Sequence, residues 1–237
     1  MEKLLLFVLL FSLNVSAQSR ETKRGSAFGI AIPSYKVHGI DISRYQEKID
    51  WKSLSTLREG KDSIGISFAF VKATEGRTMR DKYFARNWTE ARKHNIIRGA
   101  YHYYKPNVYS GDQAENFIRT VKLRKGDLPP VLDIEETGKY GAANMKKGVK
   151  NWLLKVEKHY GIRPVIYTNY HFYSQYLSGK EFKGYKFWIA HYTKHPEFDE
   201  WIFWQYSDKG VIKNISAKVA FSTLNGTLDD LKKLCKR

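Results

Sequence analysis

Two periodicities alternate along this chain. The runs Val37–Ile42, Ile66–Val71, Ile97–Tyr104, Val131–Ile134 and Pro164–Thr168 are short, apolar and rich in β-branched and aromatic residues, which predicts strands. Between them lie longer segments with apolar residues at helical spacing: Trp51–Glu59, Tyr83–His94, Asp112–Val121 and Ala142–His159. Repeated strand–helix units require parallel strands joined by right-handed crossovers. After Thr168 the rhythm changes. Phe187–Tyr192, Ile202–Tyr206 and Val219–Phe221 read as strands joined by loops, and Leu228–Leu234 as a closing helix. About eight strands in series favour a closed α/β barrel over an open sheet. No glycine-rich phosphate-binding turn follows the first strand, which speaks against a dinucleotide fold.

The N-terminus has a different character. Residues 4–11, Leu-Leu-Leu-Phe-Val-Leu-Leu-Phe, follow Lys3 and precede Val15-Ser16-Ala17, the pattern of a secretory signal peptide with its cleavage site. The run is too short to span a bilayer as a mature helix. Residues 1–17 are therefore set aside as a signal peptide, residues 18–36 as a polar, aperiodic tether, and residues 37–237 as one barrel domain. Export to a periplasm or the medium follows, with no stable membrane insertion.

Charge then narrows the partners. The chain carries 41 Lys and Arg against 24 Asp and Glu, a formal net charge of +17. Removing residues 1–17 leaves that balance unchanged, because Glu2 and Lys3 cancel. Such a field attracts polyanions, and export points to envelope polymers and anionic lipid ahead of nucleic acid. No nucleic-acid recognition motif is present. The single cysteine, Cys235, rules out an intrachain disulfide, so the core must hold the fold. No metal or cofactor is called for, and a monomer is expected.

The candidate chemistry lies in Pro129-Pro130-Val131-Leu132-Asp133-Ile134-Glu135-Glu136, an apolar strand ending in acids. Alternate side chains on a strand share a face, so Asp133 and Glu135 point the same way with Cα atoms roughly 6–7 Å apart. Their repulsion, on the order of 3 kcal/mol at about 5 Å and an effective dielectric of about 20, separates their proton affinities by roughly two pKa units. A general acid beside an anion is what acetal cleavage needs. Pairing with Lys or Arg at a strand end is the plainer alternative. In a barrel, the C-terminal ends of strands carry the catalytic groups, and Asp41 at the end of the first strand would join the same rim. Aromatics gather there too: Tyr101, Tyr103, Tyr167, Trp188, Tyr192, Trp204 and Tyr206 could offer flat faces to sugar rings, although some belong to the core. His191 and His195 are four apart, a metal-ligand spacing only on a helix, and this segment leaves a strand toward Pro196. His102 faces either the site or the core, and Lys146-Lys147 and Lys232-Lys233 read as solvated helix faces.

Seven blocks in order resemble glycoside hydrolase family 25, the Chalaropsis-type lysozymes, from about Val37 to Gly226. They are His38-Gly39-Ile40-Asp41-Ile42-Ser43, Phe70-Val71-Lys72-Ala73-Thr74-Glu75-Gly76, Arg98-Gly99-Ala100-Tyr101-His102-Tyr103, Leu132-Asp133-Ile134-Glu135, Tyr167-Thr168-Asn169, Trp188-Ile189-Ala190-His191-Tyr192 and Trp204-Gln205-Tyr206-Ser207. The resemblance implies a TIM-like (β/α)5(β)3 barrel that hydrolyses the β-1,4 bond between N-acetylmuramic acid and N-acetylglucosamine in peptidoglycan. It also implies Glu135 as general acid and then base, Asp133 as the assisting anion, and Asp41 as a further acid. One departure stands out: where the family carries a Val-Asp-x-Asn segment, this chain has Val219-Ala220-Phe221-Ser222. A non-catalytic, wall-binding barrel is the rival expectation.

Overall fold

The computed structural model describes residues 28–56 and 65–237. The strands are β1 (His38–Ile42), β2 (Ile66–Glu75), β3 (Met79–Arg80), β4 (Ile97–Tyr103), β5 (Val131–Asp133), β6 (Val165–Asn169), β7 (Lys186–Ala190), β8 (Trp201–Gly210) and β9 (Val219–Leu224). The helices are α1 (Trp51–Thr56), α2 (Phe84–Lys93), α3 (Ser110–Thr120), α4 (Gly141–Tyr160) and α5 (Leu228–Leu234). All but β3, which makes a short hairpin with β2, close into an eight-stranded barrel in which β1 pairs with both β2 and β9. Pairing is parallel from β1 through β8, whereas β9 runs antiparallel to β8 and β1. This is the (β/α)5(β)3 arrangement.

Two apolar layers hold the barrel. The inner one contains Phe68, Phe70, Val131, Val165, Trp188, Phe203 and Leu224. Phe70 stacks on Trp188 with ring centroids 4.4 Å apart. Gly39 and Gly99 make room for this plug, because a Cβ at either would collide with the ring of Phe68 or Phe70. The outer layer lies between strands and helices. On α4, Met145, Val149, Trp152, Val156 and Tyr160 recur every three or four residues and are all buried. That helix stops at Gly161, whose φ of +68° is left-handed and whose N–H caps the Glu157 carbonyl.

Several expectations shift at their edges. The second strand runs on past Val71 to Glu75, and the last past Phe221 to Leu224. The fifth ends at Asp133, one residue early, and the first helix is described only to Thr56. The tether needs correction in part: Phe28 and Ile32 are buried, and Phe28 packs on Phe221 with centroids 4.9 Å apart. Tyr35 packs edge-on against Trp201 and Trp204. Residues 28–36 therefore cover the barrel wall, and the apolar run Phe28-Gly29-Ile30-Ala31-Ile32-Pro33 is what distinguishes them from the polar residues before them. The signal-peptide segment lies outside the described residues. Among those described, no helix is long and apolar enough to cross a membrane.

Candidate active site

Strand alternation decides which side chains enter the barrel. On β5 and just beyond it, Leu132 and Ile134 pack outward, while Val131 lies in the inner layer and Asp133 follows it on that face. Asp133 is 6% exposed, and its Oδ1 has no hydrogen-bond partner. Glu135, two residues on, is exposed at the rim. Burial, then the neighbouring Glu135 carboxylate, push the Asp133 carboxyl well above the ordinary carboxylate range.

Asp41 completes the group from β1. Burial raises its pKa to about 7, aided by Glu135 and Asp208 and opposed by a hydrogen bond from Gln205. Gln205, on β8, joins three strands: its Nε2 donates to Asp41 Oδ2 at 2.8 Å, and its Oε1 accepts from the hydroxyls of Tyr167 at 3.0 Å and Tyr192 at 2.7 Å. On the other side, Lys72 Nζ donates to Glu75 Oε2 at 2.8 Å and lies 4.9 Å from the Tyr103 ring centroid. Burial would raise the Glu75 carboxyl, but Lys72, with Lys105 and Arg44, outweighs it and holds the group below its ordinary value. Gln205, Lys72 and Glu75 were missing from the sequence-derived site. For Gln205 the signal was a polar residue interrupting an apolar strand.

Of the predicted site residues, Asp41, Asp133 and Glu135 come together, with Tyr101, Tyr103, Tyr167 and Tyr192 around them. Burial raises the Tyr101 and Tyr167 hydroxyls well above their ordinary value, and the same three acids add to the shift. Trp188 lies deeper, 2% exposed, with its Nε1 donating to Ser222 Oγ at 3.0 Å, so it is a floor and not an open sugar platform. Trp204 and Tyr206 require correction. Gln205 points inward, so its neighbours point outward: Trp204 Nε1 donates to the His191 carbonyl at 2.7 Å, and the Tyr206 hydroxyl meets His38 Nδ1 at 3.2 Å. Neither faces the acids.

His102 is also settled on the outer face, 0% exposed between Thr74 and Gln113. His191 stacks on Tyr170, and His195 bonds the Tyr35 hydroxyl at 2.7 Å, so the two rings serve separate partners. Ala220 is the Cα partner of Asp41 across the β1–β9 pair. The departure seen in sequence therefore sits beside an acid of this group.

The fold thus gathers Asp41, Asp133 and Glu135 above an aromatic plug at the C-terminal end of a (β/α)5(β)3 barrel. The pattern of Glycosyl hydrolases family 25 matches residues 40–215, and the chain belongs to that family; it is a glycoside hydrolase of the lysozyme class. It is 45% identical over 210 residues to "Uncharacterized protein YegX" of Escherichia coli (strain K12), covering 87% of this chain and 76% of that relative. It is 35% identical over 210 residues to Lysozyme M1 of Streptomyces globisporus, covering 81% and 68%. The solved bacterial lysozyme from Streptomyces coelicolor has a TM-score of 0.75 at 31% identity, covering 86% of this chain and 98% of that one.

Proposed function

We propose that this chain cleaves the β-1,4 bond between N-acetylmuramic acid and N-acetylglucosamine in peptidoglycan, with Glu135 as the acid and Asp133 assisting. The observation that carries the reading is the division of labour in the pair. Glu135 stands exposed at the rim, where a glycosidic oxygen can reach it, while Asp133 lies buried below with one oxygen unpartnered.

Glu135 donates its proton to the leaving oxygen as the bond to the anomeric carbon breaks. The unpartnered Asp133 oxygen accepts the N–H of the sugar's acetamido group, or supports the positive charge that develops on the ring. Water then attacks the anomeric carbon and gives a proton back to Glu135, which restores the acid. Gln205 holds Asp41, Tyr167 and Tyr192 around this centre. The wall polymer is anionic, and the chain's surface suits it: a groove of about 800 Å³ between α2 and α3 presents Arg80, Lys82, Lys122 and Arg124, none ion-paired among the described residues. Residues 1–17 deliver the enzyme to that wall as a signal peptide.

Mass spectrometry of wall digests tests the bond. Reducing N-acetylmuramic acid ends are expected, whereas reducing N-acetylglucosamine ends would make the chain a glucosaminidase. Glu135→Gln should lower the release of reducing ends by about 10³-fold or more. Binding without release by the unaltered chain would leave only a wall-binding barrel.

A further inference from the structure

Beside the catalytic rim, a pocket of about 520 Å³ opens between the N-terminal ends of α3 and α4. Its rim carries two of the most exposed aromatic rings among the described residues, Tyr109 at 71% and Tyr140 at 60%. Asn107, Asn144, Asn151 and Lys147 line it, and no acid does. Lys146 turns away to Glu181 at 2.7 Å, whereas Lys147 is exposed and has no carboxylate partner among the described residues.

The rings stand on braced loops. Gln113, 0% exposed, donates to the carbonyls of Lys105 and Val108 and accepts from the Lys105 N–H, each at 2.9 Å. The following loop is latched to this one by Asn107 Oδ1, which accepts from the Lys139 N–H at 2.8 Å. Gly111 lets the Tyr109 ring lie against the first turn of α3, since a Cβ there would come within 2.6 Å of it. Exposed rings held this way lose little freedom when a ligand arrives. Lys105, between the lining residues Tyr104 and Pro106, reaches toward the catalytic rim: its Nζ lies 3.5 Å from Glu136 and 3.8 Å from Glu75. Tyr140 lies five positions after Glu135, so their Cα atoms are at most about 18 Å apart.

We propose that this pocket is a saccharide subsite distal to the catalytic rim, for an N-acetylated amino sugar bearing an anionic substituent. The tyrosines stack on the apolar faces of the ring, the asparagine amides pair with hydroxyl and acetamido groups, and Lys147 takes the carboxylate of the lactyl group or its attached peptide. The assignment rests on the peptidoglycan reading and extends it. The rim cuts, and this pocket holds a more distant part of the same strand.

Two measurements on the full chain test it. With soluble glycan strands, the double variant Tyr109→Ala, Tyr140→Ala should raise KM about tenfold on long strands, with kcat unchanged and a tetrasaccharide unaffected. An equal change on both lengths, or none, overturns the subsite. Direct titration with N-acetylmuramyl dipeptide, compared with tri-N-acetylchitotriose, provides a readout that needs no catalysis. Lys147→Ala should weaken the muramyl ligand several-fold and spare the neutral one, and the tyrosine variant should weaken both. Unchanged binding of both ligands in both variants overturns the subsite even if the enzyme cuts. Lost binding alongside an unaltered chain that releases no ends would support the subsite while sinking the muramidase reading.

Discussion

Two buried aspartates sit at opposite ends of the barrel and are treated in opposite ways. Asp127, below β5, is 2% exposed and fully met: Arg98 Nε and Nη2 donate to its two oxygens at 2.7 and 3.1 Å, and the Arg124 N–H donates at 2.7 Å. Asp133, at the other end of the same short strand, is 6% exposed, keeps one oxygen unpartnered and has a second acid as its neighbour. An acid that only holds structure is given its hydrogen bonds in the folded chain. One that acts on a ligand is left short of them, at some expense of stability. The lower end is built to stay and the upper end to react.

The sharpest way to break that contrast is at the lower end. Asp127→Ala strands the buried Arg98 guanidinium, and urea unfolding should show a loss of about 3–5 kcal/mol, with activity per folded molecule retained. Asp133→Asn should do the reverse, lowering reducing-end release by about a hundredfold while leaving the urea midpoint unchanged or raised. A large loss of stability in that variant would place Asp133 with Asp127 as a structural acid.

The smallest effect concerns Asp41 and depends on pH. Its folded pKa of about 7 lies above the ordinary 3.8, so the folded chain holds the extra proton between those values. The stability this proton confers is full below about 4 and fades as pH rises through about 7. Asp41→Asn should therefore gain about 2 kcal/mol at pH 8 and nothing near pH 3.5, roughly half the full linkage value because the side chain is partly wet. His38 and His102 slope the other way, since burial holds each near 4 and their contribution is lost as pH falls from 6.5 toward 4. A gain in the Asp41 variant that did not change with pH would trace to packing and not to a buried charge.

Much of this was legible from spacing alone. The strand and helix order, the shared face of Asp133 and Glu135, and their place at a strand end follow from periods of two and about 3.6. The inward or outward choice on β8 did not follow. A barrel strand is buried on both faces, so Phe203-Trp204-Gln205-Tyr206 shows no polar–apolar alternation to fix its parity. Large aromatics then draw attention to themselves, and Trp204 and Tyr206 were credited with contacts that belong to Gln205. Lys72 and Glu75 were hidden for another reason: the register of β2 against β4 shifts between Lys72 and Thr74, which local spacing cannot reveal.

The closure of the barrel by β9 bears on how the chain is made. The first strand has the last one as a neighbour, with His38 opposite Thr223 and Asp41 opposite Ala220. During synthesis from the N-terminus, β1 through β8 emerge with two open edges, and neither the ring nor the reactive rim exists until residues 219–224 arrive. Such long-range closure slows folding and exposes unpaired strand edges meanwhile. A ribosome stalled short of β9 would therefore hold an inactive chain prone to edge-to-edge association, and cutting power would appear only with the completed molecule.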